Sequence, residues 1–208
     1  MKLPSQYFGI YAFIFLVFFS GCIPAPLLPN YTIQQNHTAQ FQTLGGNNPT
    51  KVAINPISKD NKIRSDVIYC SEGGGGNIDL KQGQSFEKYI EQALVSELKK
   101  SGLYSESSQK RLNLHLDKLE LAGFPGFAEK LLTPTFILSS REVKWNIGVT
   151  FDAKGIQKSS ISSSFLHPMS EGPFDYACFS SIKKFNRAVA NLITVLLGHA
   201  EFQKFISN

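Results

Sequence analysis

Apolar and polar residues alternate along residues 143–152, and this is the clearest pattern in the chain. Successive side chains of a β-strand point to opposite faces of a sheet, so the alternation predicts a strand with one covered and one solvated face. The turn-forming residues 152–155 and the apolar positions Ile161 and Phe165 predict an antiparallel partner strand. The apolar set of the first strand is Val143, Trp145, Ile147, Val149 and Phe151.

A second alternating stretch changes phase in its middle. Its apolar positions are even-numbered from Leu112 to Leu116 and odd-numbered from Leu119 onward. One extra residue in a strand restores the pairing after such a shift, so a β-bulge is predicted near residues 117–118. Shorter apolar runs at 52–54 and 67–70 predict two further strands.

Two segments have the period of amphipathic helices. Apolar residues recur every four positions from Phe86 to Leu98, with Ser85 as a suitable N-cap and Gly102 as a suitable stop. Over 182–196 they recur at three- and four-residue spacing. The sequence therefore predicts an α+β fold, in which a mainly antiparallel sheet packs against two amphipathic helices in two layers.

The residues before this domain divide into a leader and a tether. Residues 1–21 carry one basic residue, Lys2, and then an apolar stretch at 8–19 that is shorter than the ~20 residues of a spanning helix. Residues 22–50 are rich in Pro, Asn and Gln and have little apolar content, which favours a flexible tether. Residues 51–208 are then predicted to form a single domain.

The end of the leader resembles the lipobox of bacterial lipoproteins. Residues 18–22 read Phe-Phe-Ser-Gly-Cys, with Phe19 where that family usually has Leu. The resemblance implies cleavage before Cys22 and a covalent lipid on Cys22. Apart from that lipid, no cofactor is expected. The family's inner-membrane retention signal typically has Asp at the next position, so Ile23 implies a lipid-anchored protein of the outer membrane that faces the periplasm.

Cysteine usage agrees with that location. With Cys22 assigned to lipid, Cys70 and Cys178 remain, and an even number in an oxidising compartment favours a disulfide. Two free thiols, or half of a metal site, are the alternatives. A metal site would require further Cys or His at ligand spacing, and no metal is expected.

Charge does not indicate nucleic acid as a partner. The formal net charge is +5, of which Lys2 contributes one. The basic residues occur at most in pairs, whereas nucleic-acid binders concentrate them on one face. The small positive charge predicts only a weak attraction of the protein to anionic lipid headgroups or lipopolysaccharide.

Two loops are candidate contact sites. Glycines 73–76 can offer backbone N–H groups to an anion or a glycan, although no P-loop Lys-Ser or Lys-Thr follows and a permissive turn is the plainer interpretation. The long loop 123–140 is rich in apolar residues without a clear period, so it either tucks under the domain or forms an interaction surface. The candidate residues are Gly73, Gly74, Gly75 and Gly76 in the first loop, and Phe124, Phe127, Leu131 and Phe136 in the second.

No catalytic constellation stands out, and no enzyme is predicted. The serines of 159–164 suit a polar strand face better than a nucleophile elbow, and pairs of carboxylates at such spacings are common. The histidines are dispersed and are expected to have surface or capping roles. They are His37, His115, His167 and His199.

The order of elements in residues 51–207 resembles a broad group of small, poorly characterised bacterial envelope lipoproteins, including auxiliary lipoproteins of transport systems. The resemblance implies a non-catalytic accessory or adaptor protein of envelope assembly or transport, with an envelope protein as partner. A binding module for lipid, lipopolysaccharide or cell-wall glycan is the alternative, and acyl or glycosyl transfer is a third. Purely structural motifs carry this resemblance, so it bears on fold more than on function.

Overall fold

The protein is described by a computed structural model, in which residues 25–47, 49–70, 76–122, 142–168 and 181–208 are placed. For residues 70, 76, 142 and 168 only the backbone is described. Within these ranges the chain forms four helices and a mixed sheet, so the predicted α+β fold is confirmed. The elements are β1 (Ala53–Ile54), β2 (Ser58–Lys59), β3 (Val67–Cys70), β4 (Gly76–Asp79), β5 (Arg111–Ala122), β6 (Glu142–Ala153) and β7 (Ser159–Pro168), with α1 (Gln35–Gly45), α2 (Phe86–Lys100), α3 (Phe185–Gly198) and α4 (Ala200–Ser207).

The main sheet is built on three long antiparallel strands. Its order is β1-β5-β6-β7, and the short strands β1 and β2 both pair with β5 in parallel. The register of β5 against β6 shifts between Leu116 and Lys118, which confirms the predicted bulge. Strands β3 and β4 form a separate antiparallel pair.

One face of this sheet carries the core. Trp145 on β6 is fully buried, and its ring lies 4.8 Å from that of Phe185 on α3 and 6.2 Å from that of Phe86 on α2, measured between centroids. Phe86 and Phe185 are 5.0 Å apart in an edge-to-face arrangement. Such aromatic contacts contribute about 0.5–1.5 kcal/mol each beyond the apolar area that they bury. The two predicted helices are therefore confirmed in the layer where the alternation of β6 requires them.

The predicted caps of α2 are also present. The Ser85 hydroxyl accepts a hydrogen bond from the backbone N–H of Lys88 at 3.3 Å. Gly102 follows the helix with φ +79°, a conformation that glycine adopts without steric cost.

The prediction of a flexible tether over residues 22–50 is wrong for most of that range. Residues 35–45 form α1, and Phe41 is fully buried with its ring 6.2 Å from that of Phe202 on α4. Leu28 is buried as well. The apolar content of this range is too low to predict a folded segment, because only a few residues on one side of α1 contact the domain and most of its other positions are Gln, Asn or Thr.

The structure also has more helices than the two that were predicted. The C-terminal segment forms α4, and a fourth helix, α1, lies before the first strand.

Replacing Phe41 tests whether the N-terminal segment belongs to the folded unit. Phe41→Ala removes a fully buried ring, so the free energy of unfolding is expected to fall by about 3–5 kcal/mol. Gln40→Ala, at the adjacent exposed position, is expected to change it by less than about 0.5 kcal/mol. Chemical denaturation of both variants provides the measurement, and equal small effects would show that α1 contributes nothing to the fold.

Candidate functional site

A glutamate occupies a core position of α2. Glu97 lies on the buried face of this helix together with Ile90, Ala93 and Leu94, and its exposed fraction is 0%. Removing an ionised carboxylate from water costs several kcal/mol unless donors surround it. The structure supplies those donors from the N-terminal segment.

Three groups of the N-terminal segment converge on the same oxygen of Glu97. The Tyr31 hydroxyl and the Gln34 backbone N–H each donate to Oε1 at 2.8 Å, and Nδ1 of His37 lies 3.2 Å from it. An ionised carboxylate can only accept, so this arrangement places a proton on Nδ1 of His37. We call Glu97 and these three residues the Glu97 cluster.

The electrostatics of the cluster keep the carboxylate ionised. Burial alone would raise the pKa of Glu97, but the hydrogen bonds from His37, Gln34 and Tyr31 outweigh it and hold the pKa below its ordinary value. Burial, followed by the bond to Glu97, raises the pKa of the Tyr31 hydroxyl, which therefore remains a donor. The other oxygen of Glu97, Oε2, is buried and has no hydrogen-bond partner among the described residues.

His37 extends the cluster to a third helix. It is 1% exposed, and its Nε2 lies 2.8 Å from the hydroxyl of Thr194 on α3. That hydroxyl also lies 3.1 Å from the carbonyl oxygen of Ala190. The imidazole thus joins α1 to α2 on one side and to α3 on the other, which corrects the expectation of a surface role for His37.

An open groove of about 530 Å³ lies between the N-terminal segment and α3. Thr32, Gln34, Asn36 and His37 form one wall. The other wall is α3, with Asn186, Arg187, Ala190, Asn191 and Thr194, and Phe165 of β7 also lines the groove. We call it the α1–α3 groove, and none of its lining residues is acidic.

The face of the main sheet opposite the core is polar and hydrogen-bonded. Thr150 donates to Asp117 at 2.7 Å, Asn113 donates to Asp152 at 2.6 Å, and Ser164 donates to Asn146 at 2.9 Å. These side chains lie on neighbouring strands at paired or near-paired positions. We call this surface the polar sheet face.

One corner of the polar sheet face contains a serine, a histidine and an aspartate. The Ser58 hydroxyl lies 2.8 Å from Nδ1 of His115, but Nε2 of His115 is 3.8 Å from Asp117, too far for a hydrogen bond. The His115 and Asp117 side chains are 42% and 40% exposed. A nucleophilic triad requires a base that is held firmly by the carboxylate, and this arrangement lacks that bond. The predicted solvated position of His115 is confirmed.

Of the other two histidines, one caps a helix and one is buried. His199 accepts a hydrogen bond from the N–H of Glu201 at 3.3 Å and caps α4, as expected for a capping role. His167 is 4% exposed, so a surface role is wrong for it.

Most residues proposed from the sequence as sites lie outside the described residues. These are Cys22, Cys178, Gly73, Gly74, Gly75 and the loop residues Phe124, Phe127, Leu131 and Phe136. Cys70 and Gly76 are described by their backbones, which pair with each other between β3 and β4. Gly76 is thus a strand residue and not part of a free loop, and the Cys70–Cys178 disulfide stays a prediction.

The placed parts of the chain contain neither a candidate metal site nor a helix suited to span a membrane. No group of three or more His, Cys, Asp or Glu side chains there is arranged to hold a metal ion. No helix in those ranges has the length and apolar character needed to cross a membrane.

The Glu97 cluster was missed because its partners are far apart in the chain. His37 and Glu97 are separated by 60 residues, and His37 and Thr194 by 157. One signal was available in the sequence: Glu97 occupies a position of the α2 helix that its period assigns to the apolar face.

Acid is expected to destabilise the protein through Glu97. A carboxyl whose pKa is lowered by folding contributes stability above its unfolded pKa of about 4.5, and this contribution is lost as pH falls through the folded pKa. Glu97→Gln removes the titrating group while keeping its shape. Chemical denaturation at pH 7 and pH 3 should therefore show a larger loss of unfolding free energy in the wild type than in the variant. Equal losses would contradict an ionised Glu97.

Similarity to known proteins is found among solved structures. No family model matches the chain, and no curated protein matches it. Among solved structures, it is similar to a protein of Xanthomonas campestris described under the family model DUF330, with 16% identity, a TM-score of 0.47, and coverage of 74% of this chain and 85% of that one. The crystal structure of an uncharacterized protein aligns with 8% identity, a TM-score of 0.40, and coverage of 70% and 90%. Neither description names an activity, a ligand or a partner.

Proposed function

We propose that this protein is a lipid-anchored, non-catalytic adaptor of the bacterial envelope, attached to the outer membrane through Cys22 and facing the periplasm. In this proposal the folded body is held close to the membrane in a fixed orientation and presents the polar sheet face to a protein partner. The single observation that carries the proposal is the attachment of the N-terminal segment to the body.

That attachment begins very near the proposed lipid. The carbonyl oxygen of Pro26 accepts a hydrogen bond from the N–H of Lys81 at 3.1 Å, and the N–H of Leu28 donates to the side chain of Gln84 at 2.8 Å. Four residue steps separate Cys22 from Pro26, which is at most about 14 Å of extended chain. A free tether over 22–50 would have allowed the body to move several times farther away.

A short distance between the membrane and the folded body favours a role in a fixed assembly over a role that requires the body to reach far into the periplasm. Hydrogen bonds from residues 26–37 hold this segment on the body, so in this proposal only a short connection separates the body from the membrane. Leu27, five residues after Cys22, is 54% exposed beside this attachment and is available to contact lipid. Such an attachment suits a subunit that must contact its partner at a constant distance from the membrane.

The polar sheet face suits a protein partner with mixed polar and charged groups. Its side chains are already ordered by cross-strand hydrogen bonds, which lowers the entropy that binding would cost. It carries both signs of charge, since Lys118 and Glu120 form an ion pair at 3.0 Å. Gly148 lies between Lys118 on β5 and Ser162 on β7, and its missing side chain leaves room for that of Lys118.

In-cell crosslinking tests the proposed docking face. A photoreactive residue at Ser162, which is exposed on this face, is expected to give one recurrent and identifiable protein adduct. The same residue at Gln92, exposed on α2, provides the matched control and is expected to give none. Adducts of equal yield at both positions, or only lipid and glycan adducts at Ser162, would overturn the adaptor assignment.

Lengthening the chain between Cys22 and the folded body tests separately whether the attachment of residues 26–37 matters. A 20-residue Gly/Ser linker inserted after Ile23 leaves Cys22 and the folded body unchanged, so lipidation and stability should be preserved. The crosslinking yield at Ser162 is expected to fall several-fold, because a flexible chain of that length releases the orientation. An unchanged yield would mean that the attachment of residues 26–37 has no role in presenting the face.

A further inference from the structure

We infer that the α1–α3 groove is a binding site for an acidic saccharide. This inference goes beyond the adaptor role, because it concerns a different surface and a different class of ligand. It is carried by the free hydrogen-bonding groups, the charge and the shape of the groove.

The groove has the size of a small-ligand site. Its volume of about 530 Å³ lies within the range of roughly 300–1,000 Å³ that is usual for such sites. Its two walls come from opposite ends of the chain, the N-terminal segment and α3. Because His37 and the Glu97 cluster hold the first wall in place, the groove exists only when the N-terminal segment is attached.

Its amide side chains are partly used and partly free. The amide nitrogen of Asn191 donates to the Ser163 hydroxyl and to the Ser164 carbonyl, while its oxygen has no donor among the described residues and can accept. The Asn186 oxygen accepts from the N–H of Arg187, and the Asn186 amide nitrogen has no acceptor in the part of the chain that the structure describes, so it can donate. The groove thus offers donors and acceptors side by side, and a saccharide hydroxyl both donates and accepts.

Gln34, Asn36 and Phe165 provide further groups for contact with a ligand in the groove. The Gln34 amide nitrogen donates to the Thr32 carbonyl, and the Gln34 side-chain oxygen has no hydrogen-bond donor within the placed ranges. No hydrogen bond of the Asn36 side chain occurs within the described residues, and the side chain is exposed. Phe165 lines the groove and is half-buried, so the flat side of a sugar ring can pack against it.

Charge selects an acidic ligand. Arg187 is exposed at the groove, and its guanidinium has no ion-pair partner in the placed ranges. No Asp or Glu lines the groove, and the carboxylate of Glu97 is fully buried behind His37. A guanidinium binds a carboxylate with two parallel hydrogen bonds, which gives direction as well as attraction.

The first test uses the full mature lipoprotein in detergent micelles and two tetrasaccharide probes. One alternates N-acetylglucosamine with N-acetylmuramic acid, whose lactyl group carries a carboxylate, and the other contains N-acetylglucosamine alone. We expect the acidic probe to bind at least ten-fold more tightly in calorimetric titration. Equal binding of both probes, or binding of neither, would overturn the inference.

Two arginine variants locate the site. Arg187→Ala is expected to reduce binding of the acidic probe to the level of the neutral one, whereas Arg64→Ala, at another exposed arginine outside the groove, should leave it unchanged. Both side chains are exposed, so thermal melts should match the wild type and separate loss of binding from loss of fold. Equal losses in the two variants would mean that net charge and not the groove recruits the probe.

A third arm separates cell-wall glycan from other sources of the same chemistry. An acidic oligosaccharide of the lipopolysaccharide core, tested in the same titration, identifies that source if it binds more tightly than the muramic acid probe and also depends on Arg187. Vesicles that contain phosphatidylglycerol serve as the contrasting probe. Arg187-dependent binding to vesicles without saccharide binding would contradict the inference. None of these results depends on a protein adduct at Ser162, so the two proposals fail independently.

Discussion

The buried carboxylate of Glu97 is the constraint on which the arrangement of the N-terminal segment depends. A charge at a core position of α2 must be surrounded by donors, and Tyr31, Gln34 and His37 supply them from a stretch of chain that has few apolar residues of its own. Burial of Phe41 also stabilises the contact of α1 with the body. Apolar burial is not directional, so it is compatible with many orientations of the helix. The hydrogen bonds to one oxygen fix a single position, so the cluster determines where the segment lies.

The proposed functional surfaces follow from that position. The attached segment shortens the connection to Cys22, and it also forms one wall of the α1–α3 groove. The polar sheet face lies on the other side of the sheet from the helices, so a protein partner there and a saccharide in the groove would not compete for the same face. An adaptor that binds cell-wall glycan and a protein partner at a set distance from the membrane is a coherent arrangement of these parts.

The sequence predicted the elements whose signals are local and missed those that depend on distant contacts. The alternation of 143–152, the phase shift at 117–118 and the Ser85 cap each depend on neighbouring residues, and all three are present. Helix α1 has a weak apolar period, and its stability comes from tertiary contacts, so composition alone indicated a tether. The groove was beyond sequence reasoning because its walls are about 150 residues apart, and only the fold brings them together.

Amide hydrogen exchange at Gln34 in the full-length protein tests the central claim most directly. This N–H lies just before α1, outside its hydrogen-bonding pattern, and its acceptor is the Glu97 carboxylate 63 residues away. The account predicts exchange slowed by orders of magnitude relative to an unstructured peptide, and a marked loss of that protection in Glu97→Leu, which removes the acceptor oxygen. Exchange at the unprotected rate in the wild type would contradict it, because the segment would then be a tether after all.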